Sequence, residues 1–494
     1  MKRTIRLGDV PDQVWDDFQS KGFDCVWLMG IWERSPRSRQ IASIHQGLQK
    51  EYAKALPDWQ PADVVGSPYS IRAYRPDPEL ASWEELEEVL VKLHDRSMKL
   101  ILDFVPNHTA LDYEWVFHHP EYYVQGTSRE ALNLPSDFFS VETAEGIQYL
   151  AHGRDPHCSP WTDTAQVNFF NPNARQALLH EIQHMAHYCD GFRCDMAMLV
   201  LNKVFGQTWK NQVIEWESPD KEFWSEAIAS FPDLIWIAEV YWDREWELQQ
   251  LGFQYTYDRR LYERLRFASP QDVTLHLHAD MDYQCRLVRF VENHDEERAI
   301  AVFRGKKHEV VSLVMATIPG LRLYHQGQLE GRRFRIPVQL ARAPLEIPDR
   351  AIQQWYERLL AITHEEMFHL GRWRLLTVHS TGDSPGNPLM AYEWKLAAKR
   401  AVVAVNLSVL PAGGTVLLDD EVRTHAHPTS TDSITVKELL TNTESTWNQG
   451  ALSQQGLPVQ VPPHQGRIFW MVQEAENLSS EARQGASQKK ELPG

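Results

Sequence analysis

The segment SWEELEEVLVKLHDRSMKLILDFVPNH (82–108) contains the pattern that decides the fold. Ser82 followed by Glu85 is a capping box, which marks the start of a helix. Apolar residues then recur every three or four positions as far as Leu93, so the pattern predicts a helix with one apolar face. A short turn leads into the apolar run LILDFV (100–105), whose length suits a buried strand. The segment therefore predicts a helix followed by a buried strand.

The same alternation of strands and helices recurs from about residue 9 to residue 365. It predicts a parallel sheet covered by helices, that is, an α/β fold. Seven strands over about 300 residues fit a (β/α)8 TIM barrel with one strand unaccounted for. The missing strand should come first, where only TIRL (4–7) is available, so we expect the first strand to be short or missing. The seven predicted strands lie near residues 24–28, 100–105, 191–195, 234–240, 253–257, 286–291 and 321–324.

Two regions break the alternation and suggest further domains. Residues 109–165 lack a helical period and are too long for a passive connection, which predicts an inserted domain. From residue 367 to 473 short strands between turn signals predict a C-terminal antiparallel β domain. The barrel then comprises residues 1–108 and 166–366. The polar residues 474–494 are expected to be a disordered tail.

The composition is that of a globular protein, with 43% apolar and 24% charged residues in a chain of 494. The net charge of −17 argues against a nucleic-acid partner, because phosphate-backbone binding usually needs a basic face. No apolar run approaches the roughly 20 residues that span a bilayer, and no apolar signal region follows the N-terminus. The five cysteines show no metal-ligand spacing, which predicts buried, reduced thiols. We expect a cytoplasmic protein without a membrane partner, and the oligomeric state stays open.

Charged and imidazole side chains stand at four of the predicted strand ends. In a barrel the carboxyl ends of all strands meet at one mouth, so these side chains should converge there. Each buried carboxylate could be a satisfied core group, because an unpaired one is costly. Four such strand ends in one chain favour a catalytic site over that interpretation. The residues are Asp103, His108, Arg193, Asp195, Glu239, His294 and Asp295.

Four of these segments resemble the signature segments of the alpha-amylase family, glycoside hydrolase family 13. They are DFVPNH (103–108), GFRCD (191–195), AEV (238–240) and ENHDE (292–296). Their order matches that of the family, as do their positions at the ends of strands three, four, five and seven. The resemblance covers about residues 5–475. It implies a barrel with domain B inserted after strand three, and a retaining enzyme that acts on α-glucosidic bonds.

The resemblance implies roles for three carboxyl groups. Asp195 matches the family nucleophile, Glu239 the general acid/base and Asp295 the third carboxylate, which holds sugar hydroxyls. Retaining glycosidases need two carboxyl groups about 5–5.5 Å apart, one to attack and one to donate a proton. Arg193 lies two residues before Asp195 on one strand, so both side chains point to the same side. We expect the Arg193 charge to keep Asp195 ionised.

The resemblance also implies residues that bind a carbohydrate substrate. Tyr69 in GSPYSIRAY (66–74) resembles the tyrosine that stacks on the glucose ring in this family. His108 and His294 match its hydroxyl-binding histidines. A packed loop tyrosine is the alternative interpretation of Tyr69.

A resident metal is not expected, although structural calcium is kept open. Many alpha-amylases carry a Lys-His pair soon after the nucleophile, where this chain has MAMLV (196–200). Asn107 matches a usual calcium-ligand position, yet AQVN (165–168) lacks the aspartate that often helps there. HEIQH (180–184) fits a zinc-protease pattern, but it falls on an outer helix without an evident third ligand.

Hydrolysis of α-glucans or small α-glucosides is the leading interpretation. A glucosyl transferase, phosphorylase or isomerase of the same family is the first alternative, because only the acceptor of the covalent intermediate differs. The second alternative is a non-catalytic carbohydrate-binding or assembly barrel. Such relatives typically lose catalytic carboxylates, whereas all three are present in this chain.

Overall fold

The computed structural model describes residues 5–212, 215–380, 388–418 and 433–472. The described chain divides into two compact units. The first contains the residues up to Phe267 together with Ala279–Arg304 and Pro319–Ala361. The second contains Ala268–His278, Gly305–Ile318 and the described residues from Ile362 onward.

The first unit is built on one parallel sheet of seven strands. Each strand pairs in parallel with the next along the chain, so the sheet order follows the sequence order. The ring centroids of Phe23 and Tyr324, beside the two edge strands, are only 5.6 Å apart, so the sheet is curled. The strands are β1 (Cys25–Leu28), β2 (Lys99–Phe104), β3 (Gly191–Cys194), β4 (Ile235–Ala238), β5 (Tyr255–Tyr257), β6 (Leu287–Arg289) and β7 (Leu321–Arg322).

This sheet confirms the predicted TIM-barrel architecture with a short or missing first strand. Within the described ranges no strand precedes β1, and Leu7–Asp9 forms a 3-10 turn instead. The helices that alternate with the strands are Asp12–Ser20, Pro36–Ile44, Gln46–Ala55, Trp83–His94, Pro172–Met185, Asn202–Thr208, Phe223–Ser230, Glu245–Gln250, Arg259–Phe267, Met281–Cys285, Ala299–Val302 and Arg350–Thr363.

The helix Trp83–His94 begins at the capping box that its sequence predicts. The Ser82 hydroxyl accepts a hydrogen bond from the Glu85 N–H, and the Glu85 carboxylate accepts one from the Ser82 N–H. This closes the predicted capping box at the start of Trp83–His94. Leu86 and Leu93 are buried on one face of the helix, and the chain then enters β2.

The region between β2 and β3 begins and ends at a short antiparallel pair. His108–Ala110 pairs with Thr164–Gln166. Between them a hairpin is formed by Phe138–Thr143 and Gly146–Ala151. Two short helices, Glu114–His118 and Ser128–Asn133, and a 3-10 turn at Pro120–Tyr122 complete the region. The insertion therefore starts and finishes beside the carboxyl end of β2.

The second unit consists of antiparallel sheets with helices, which confirms a C-terminal antiparallel β region. One sheet has six strands, in the order Arg372–Leu376, Leu389–Leu396, Lys399–Asn406, Gln465–Val472, Ser433–Glu438 and Thr443–Asn448. The other has three, in the order Val378–Ser380, Ala412–Val416 and Leu457–Val461. The helices are Pro270–His276, Lys306–Thr317, Met367–Leu370 and Gln449–Gln455. A core of aliphatic side chains, including Val402 and Val459, is shared by these strands.

The compact units do not follow the boundaries that were predicted for the barrel. Lys306–Thr317 was assigned to the barrel, but it packs in the second unit, where the Trp394 indole N–H donates to the Thr317 carbonyl at 2.6 Å. The compact units are a different division of the chain from the predicted one, and the division into barrel, domain B and β domain stays a prediction. Residues 474–494, the predicted tail, lie outside the described residues.

All five cysteines are free thiols. Cys189 and Cys194 are buried, but Cys158 and Cys285 are exposed, so the expected burial is wrong for these two. Cys158 lies in a loop, and Cys285 ends the short helix Met281–Cys285 just before β6. Among the described residues, every helix is too short or too polar to cross a bilayer.

Candidate active site

Arg193 and Asp195 project from the end of β3 into the interior of the sheet. Alternate residues of a strand share one side, which is why the pattern Arg-Cys-Asp brings these two side chains together. Arg193 Nη1 donates to Asp195 Oδ1 at 2.6 Å, and the guanidinium is only 1% exposed. The Asp195 N–H donates to the Phe104 carbonyl of β2 at 2.9 Å, so the backbone of Asp195 is fixed as well.

Glu239 follows β4 and contacts the same guanidinium. Its N–H donates to the Cys194 carbonyl at 3.0 Å, and its Oε2 forms an ion pair with Arg193 Nη2 at 2.7 Å. Asp103, from β2, approaches Arg193 Nη1 with its Oδ1 at 3.6 Å. One buried arginine therefore gathers carboxyl groups from three adjacent strands, and Asp195 and Glu239 lie side by side.

Three aromatic rings enclose this arginine. The Arg193 Cζ lies 5.2 Å from the ring centroids of Trp27 and Tyr69 and 5.8 Å from that of Tyr257. Trp27, Arg193 and Tyr257 come from β1, β3 and β5, and side chains of alternate strands form one layer in a barrel interior. The three rings exclude water from the Arg193 guanidinium. Their faces also attract this cation.

Trp27 and Tyr257 were not among the predicted site residues. The available signal was that each is an aromatic residue in a predicted strand two strands away from the strand of Arg193. The sequence alone does not tell which side of a strand faces inward.

The loop after β6 carries His294 and Asp295. Asn293 Oδ1 accepts from the N–H groups of Asp295 (3.0 Å) and Glu296 (2.9 Å), which shapes the turn. His294 Nε2 lies 3.0 Å from Asp295 Oδ2 and 2.7 Å from the Tyr69 hydroxyl. The Asp295 side chain is 46% exposed, in contrast to the buried Asp195 and Glu239.

Tyr69 thus contacts both Arg193 and His294, and it joins the carboxyl groups around Arg193 to the loop that carries Asp295. Arg335, which was not among the predicted site residues, also reaches this loop, where its Nη1 donates to the Asp295 carbonyl at 3.2 Å.

His108 lies at the border between β2 and the insertion. Its ring centroid is 5.1 Å from that of Trp161, a residue of the inserted region. Burial lowers the pKa of His108 to about 4, although the Asp163 carboxylate opposes this. The imidazole is therefore neutral near pH 7 and can donate to or accept from a hydroxyl group.

The side-chain amide of Asn107 is paired with that of Gln166. Its Oδ1 accepts from Gln166 Nε2 at 3.0 Å, and its Nδ2 donates to Gln166 Oε1 at 3.2 Å, so the two amides satisfy each other. Calcium requires six to eight oxygen ligands. Within the described ranges, no cluster of three or more His, Cys, Asp or Glu side chains is arranged to hold a metal ion. The Asn107 side chain is thus held by Gln166, and the absence of a resident metal stays a prediction.

The surroundings tune the carboxyl groups in opposite directions. Burial raises the pKa of Asp195, and the charge of Arg193 opposes this without reversing it. Burial also raises the pKa of Glu239, helped by the neighbouring Asp195 and Asp295 charges. Partial burial acts in the same sense on Asp295, but the His294 hydrogen bond and the charges of His294 and Arg193 lower its pKa overall. Glu239 is thus suited to carry a proton, and Asp295 to stay ionised.

The fold and the site together define a (β/α)8-barrel protein with a cluster of carboxyl groups at its strand ends. Residues 18–334 match the family described as "Alpha-amylase: Alpha amylase, catalytic domain". The chain belongs to the alpha-amylase family.

Two curated relatives and one solved structure show how close the similarity is. Alpha-amylase 3 of Dictyoglomus thermophilum is 24% identical over 299 residues, which cover 55% of each chain. Alpha-amylase MalA of Haloarcula japonica is 26% identical over 365 residues, covering 70% of this chain and 49% of that protein. The chain thus spans about half the length of these relatives. A maltogenic alpha-amylase, AmyB from Thermotoga neapolitana, shares the fold with a TM-score of 0.65 at 18% identity, over 94% of this chain and 93% of that one.

Proposed function

We propose that this protein hydrolyses α-glucosidic bonds in α-glucans or small α-glucosides with retention of the anomeric configuration. The observation that carries the proposal is the shared contact of Asp195 and Glu239 with one buried guanidinium. The Arg193 guanidinium holds the two carboxyl groups side by side. A retaining glycosidase needs its nucleophile and its acid/base close together in this way. The names of the relatives, which are amylases, support the substrate class.

The reaction would proceed in two steps. Asp195 Oδ attacks C1 of the glucosyl unit while the bond from C1 to the leaving oxygen breaks, and Glu239 gives its proton to that oxygen. Glu239 then takes a proton from water as the water oxygen bonds to C1 and releases Asp195. The raised pKa of Glu239 favours the protonated form that the first step needs.

The remaining residues would bind the sugar. Asp295, ionised and half-exposed, is placed to accept hydrogen bonds from sugar hydroxyls. His108 and His294 can hydrogen-bond further hydroxyl groups, and the Tyr69 ring offers an apolar face to the pyranose. Arg193 stabilises the ionised form of Asp195, which the first step needs as its nucleophile.

Replacing the acid tests this assignment. Glu239→Gln should cut turnover of maltotriose by about 10² to 10⁴-fold, because its leaving group needs a proton. The same variant should lose far less activity in the first step with α-glucosyl fluoride, whose leaving group needs little protonation. An exposed Glu88→Gln variant is the control. Equal losses with both substrates, or none, would remove Glu239 from this role.

Product analysis separates hydrolysis from its alternatives. Time-resolved NMR should show the α-anomer as the first product, and an inverted product would contradict the mechanism. A panel of maltose, trehalose, sucrose, isomaltose, glucosylglycerol and soluble starch, assayed with and without phosphate, distinguishes hydrolysis from transfer, phosphorolysis and isomerisation. A non-catalytic barrel would turn over none of these. The presence of all three carboxyl groups around one site favours an enzyme over such a barrel.

We further propose that the reaction needs no resident metal, which the reciprocal Asn107–Gln166 amide pair supports. A cytoplasmic location is proposed as well, and the five free thiols support it.

A further inference from the structure

Glu239 has a second partner besides Arg193. The Tyr241 hydroxyl donates to Glu239 Oε1 at 2.7 Å. The other carboxyl oxygen, Oε2, accepts from the Met196 N–H at 2.9 Å and faces Arg193 Nη2. The two oxygens of Glu239 therefore have different surroundings, and only Oε2 has a cation and a backbone donor against it.

This asymmetry decides where the catalytic proton resides. A proton on Oε2 would point at the Met196 N–H and the Arg193 cation, which are donors that cannot accept it. A proton on Oε1 faces the Tyr241 oxygen, which can both donate and accept. The acid form of Glu239 must therefore carry its proton on Oε1, beside Tyr241.

A strained turn fixes the position of Tyr241. Trp242 and Asp243 follow it with φ values of 64° and 57°, two consecutive non-glycine residues in the left-handed region. Such conformations are costly and persist only where surrounding contacts hold them. The Asp243 carboxylate supplies such a contact through two hydrogen bonds from Arg260, each of 2.6 Å.

A cation lies against the ring of Tyr241. The Arg259 Cζ is 5.1 Å from the ring centroid, and Arg259 Nη1 forms an ion pair of 2.5 Å with Glu296. Glu296 is the neighbour of Asp295 in the loop after β6. Tyr241 is therefore supported by Arg259 from the helix after β5, and Arg259 is itself paired with the loop that carries Asp295.

We propose that Tyr241 is a positioning residue that stabilises the ionised form of Glu239 and thereby sets the upper pH limit of the reaction. This inference rests on the proposed function of Glu239. In the first step the proton moves from Glu239 Oε1 to the leaving oxygen, and Tyr241 keeps its own proton and donates to the vacated Oε1. Burial and the nearby charges of Glu239 and Asp295 raise the pKa of Tyr241 well above its ordinary value, so the hydroxyl remains a donor.

Tyr241→Phe tests the inference through the pH dependence of kcat/KM. Without the donated hydrogen bond, the ionised carboxylate loses stabilisation and the pKa of Glu239 rises. The basic limb of the pH profile for maltotriose should then move upward by about one pH unit, the typical effect of one hydrogen bond to a charged group. An unchanged basic limb in a folded variant would overturn the inference.

A matched control removes a similar bond elsewhere. The Tyr113 hydroxyl donates to Glu181 Oε1 at 2.6 Å, on the helix Pro172–Met185. Tyr113→Phe should leave the basic limb in place, because Glu181 takes no part in the reaction. Arg259→Gln offers a second variant that should shift the limb in the same direction by releasing the ring of Tyr241.

Two measurements keep this inference separate from the proposed function. If Glu239→Gln retains full activity on maltotriose, the proposed function fails whatever Tyr241→Phe does. If Glu239→Gln loses activity and Tyr241→Phe leaves the limb unmoved, only the inference fails. A ¹³C NMR titration of protein labelled at the glutamate carboxyl carbons, with Glu239 assigned by its absence in Glu239→Gln, reads the same pKa without any substrate. It should show the upward shift in Tyr241→Phe.

Discussion

At the scale of single residues, Arg193 organises the site. It is one cation against the carboxyl groups of Asp103, Asp195 and Glu239. Three ionised carboxylates would leave the buried cluster with an excess of negative charge, which a desolvated interior disfavours. Burial accordingly raises the pKa of all three groups, and Glu239 is the one that the proposed mechanism needs in its acid form.

The same burial makes the carboxyl groups of Asp195 and Glu239 a cost to stability. Burial raises the pKa of Asp195 and of Glu239 above their ordinary values of 3.8 and 4.5. The folded chain thus favours the protonated forms of both groups. The cost of ionising them is absent at pH values below their ordinary pKa and complete at pH values above their raised pKa. Stability associated with these groups therefore falls as the pH rises through that window.

Neutral replacements should consequently stabilise the protein. Asp195→Asn and Glu239→Gln are expected to raise the Tm at pH 7.5, since an amide carries no charge to desolvate. The gain should shrink as the pH approaches 4. Differential scanning calorimetry at both pH values measures it, with the exposed Glu88→Gln as control. A Tm that falls at neutral pH, or a gain that is independent of pH, would contradict desolvation of the carboxylates as the cause.

At the scale of elements, the close approach of β3 and β4 brings together the carboxyl groups of Asp195 and Glu239, to which we assign the chemistry. Asp195 and Glu239 leave adjacent parallel strands that pair from Gly191 and Ile235 onward. A Cβ atom added at Gly191 would lie only 2.2 Å from the Ile235 carbonyl oxygen. The glycine is therefore needed for the two strands to come together at the start of the segment that carries Arg193.

Gly191→Ala should disturb this pair of strands. The clash is with backbone, so the strands must separate, and we expect a loss of about 2 to 3 kcal/mol in the free energy of unfolding. Turnover should fall as well, because the shift moves Asp195 relative to Glu239. Denaturation curves and maltotriose turnover measure the two effects. Gly206→Ala, within the helix Asn202–Thr208, is the control: its Cβ would lie 3.3 Å from the Phe170 ring edge, which can shift, so we expect a much smaller loss. Equal stabilities of the two variants would refute the argument.

Elements with a regular period were predictable, and those with buried ion pairs were not. The helix Trp83–His94 and the strand β2 follow directly from periodicity and capping. The strand Leu389–Leu396 does not stand out as an apolar run, because Glu393 interrupts it. In the structure Glu393 is buried between Arg374 (2.5 Å) and Arg400 (3.2 Å), which belong to the neighbouring strands. A partner on another strand cannot be seen in a local pattern.

At the scale of the whole molecule, the second compact unit is assembled from distant parts of the chain. The helix Lys306–Thr317 packs on Lys399–Asn406 and Gln465–Val472. Most of its side chains are buried, including Leu313, which lies against Gly466. We therefore predict that the chain cannot be cut near residue 366 without exposing this helix.

Truncation should show this dependence. A chain that ends at Ala361 keeps the helix Lys306–Thr317 but lacks the sheet that covers it. Each large apolar side chain left exposed costs about 1.5 to 3 kcal/mol, so we expect aggregation or strong binding of a hydrophobic dye. A chain that ends at Val472 retains every described strand of the unit and is the control. Size-exclusion chromatography and dye fluorescence compare the two, and a monomeric, dye-free protein ending at Ala361 would disprove the expectation.

The sequence by itself determined the barrel, the family and the identity of the carboxyl groups, because periodicity and the segments at the strand ends are local properties of the chain. Tertiary structure alone decided how those groups are tuned. Trp27, Tyr257 and Tyr241 act through contacts with Arg193 and Glu239, and the Asn107–Gln166 pair joins residues on either side of the insertion. Such contacts depend on which side of each strand faces inward and on where loops fold back, and no local pattern records either.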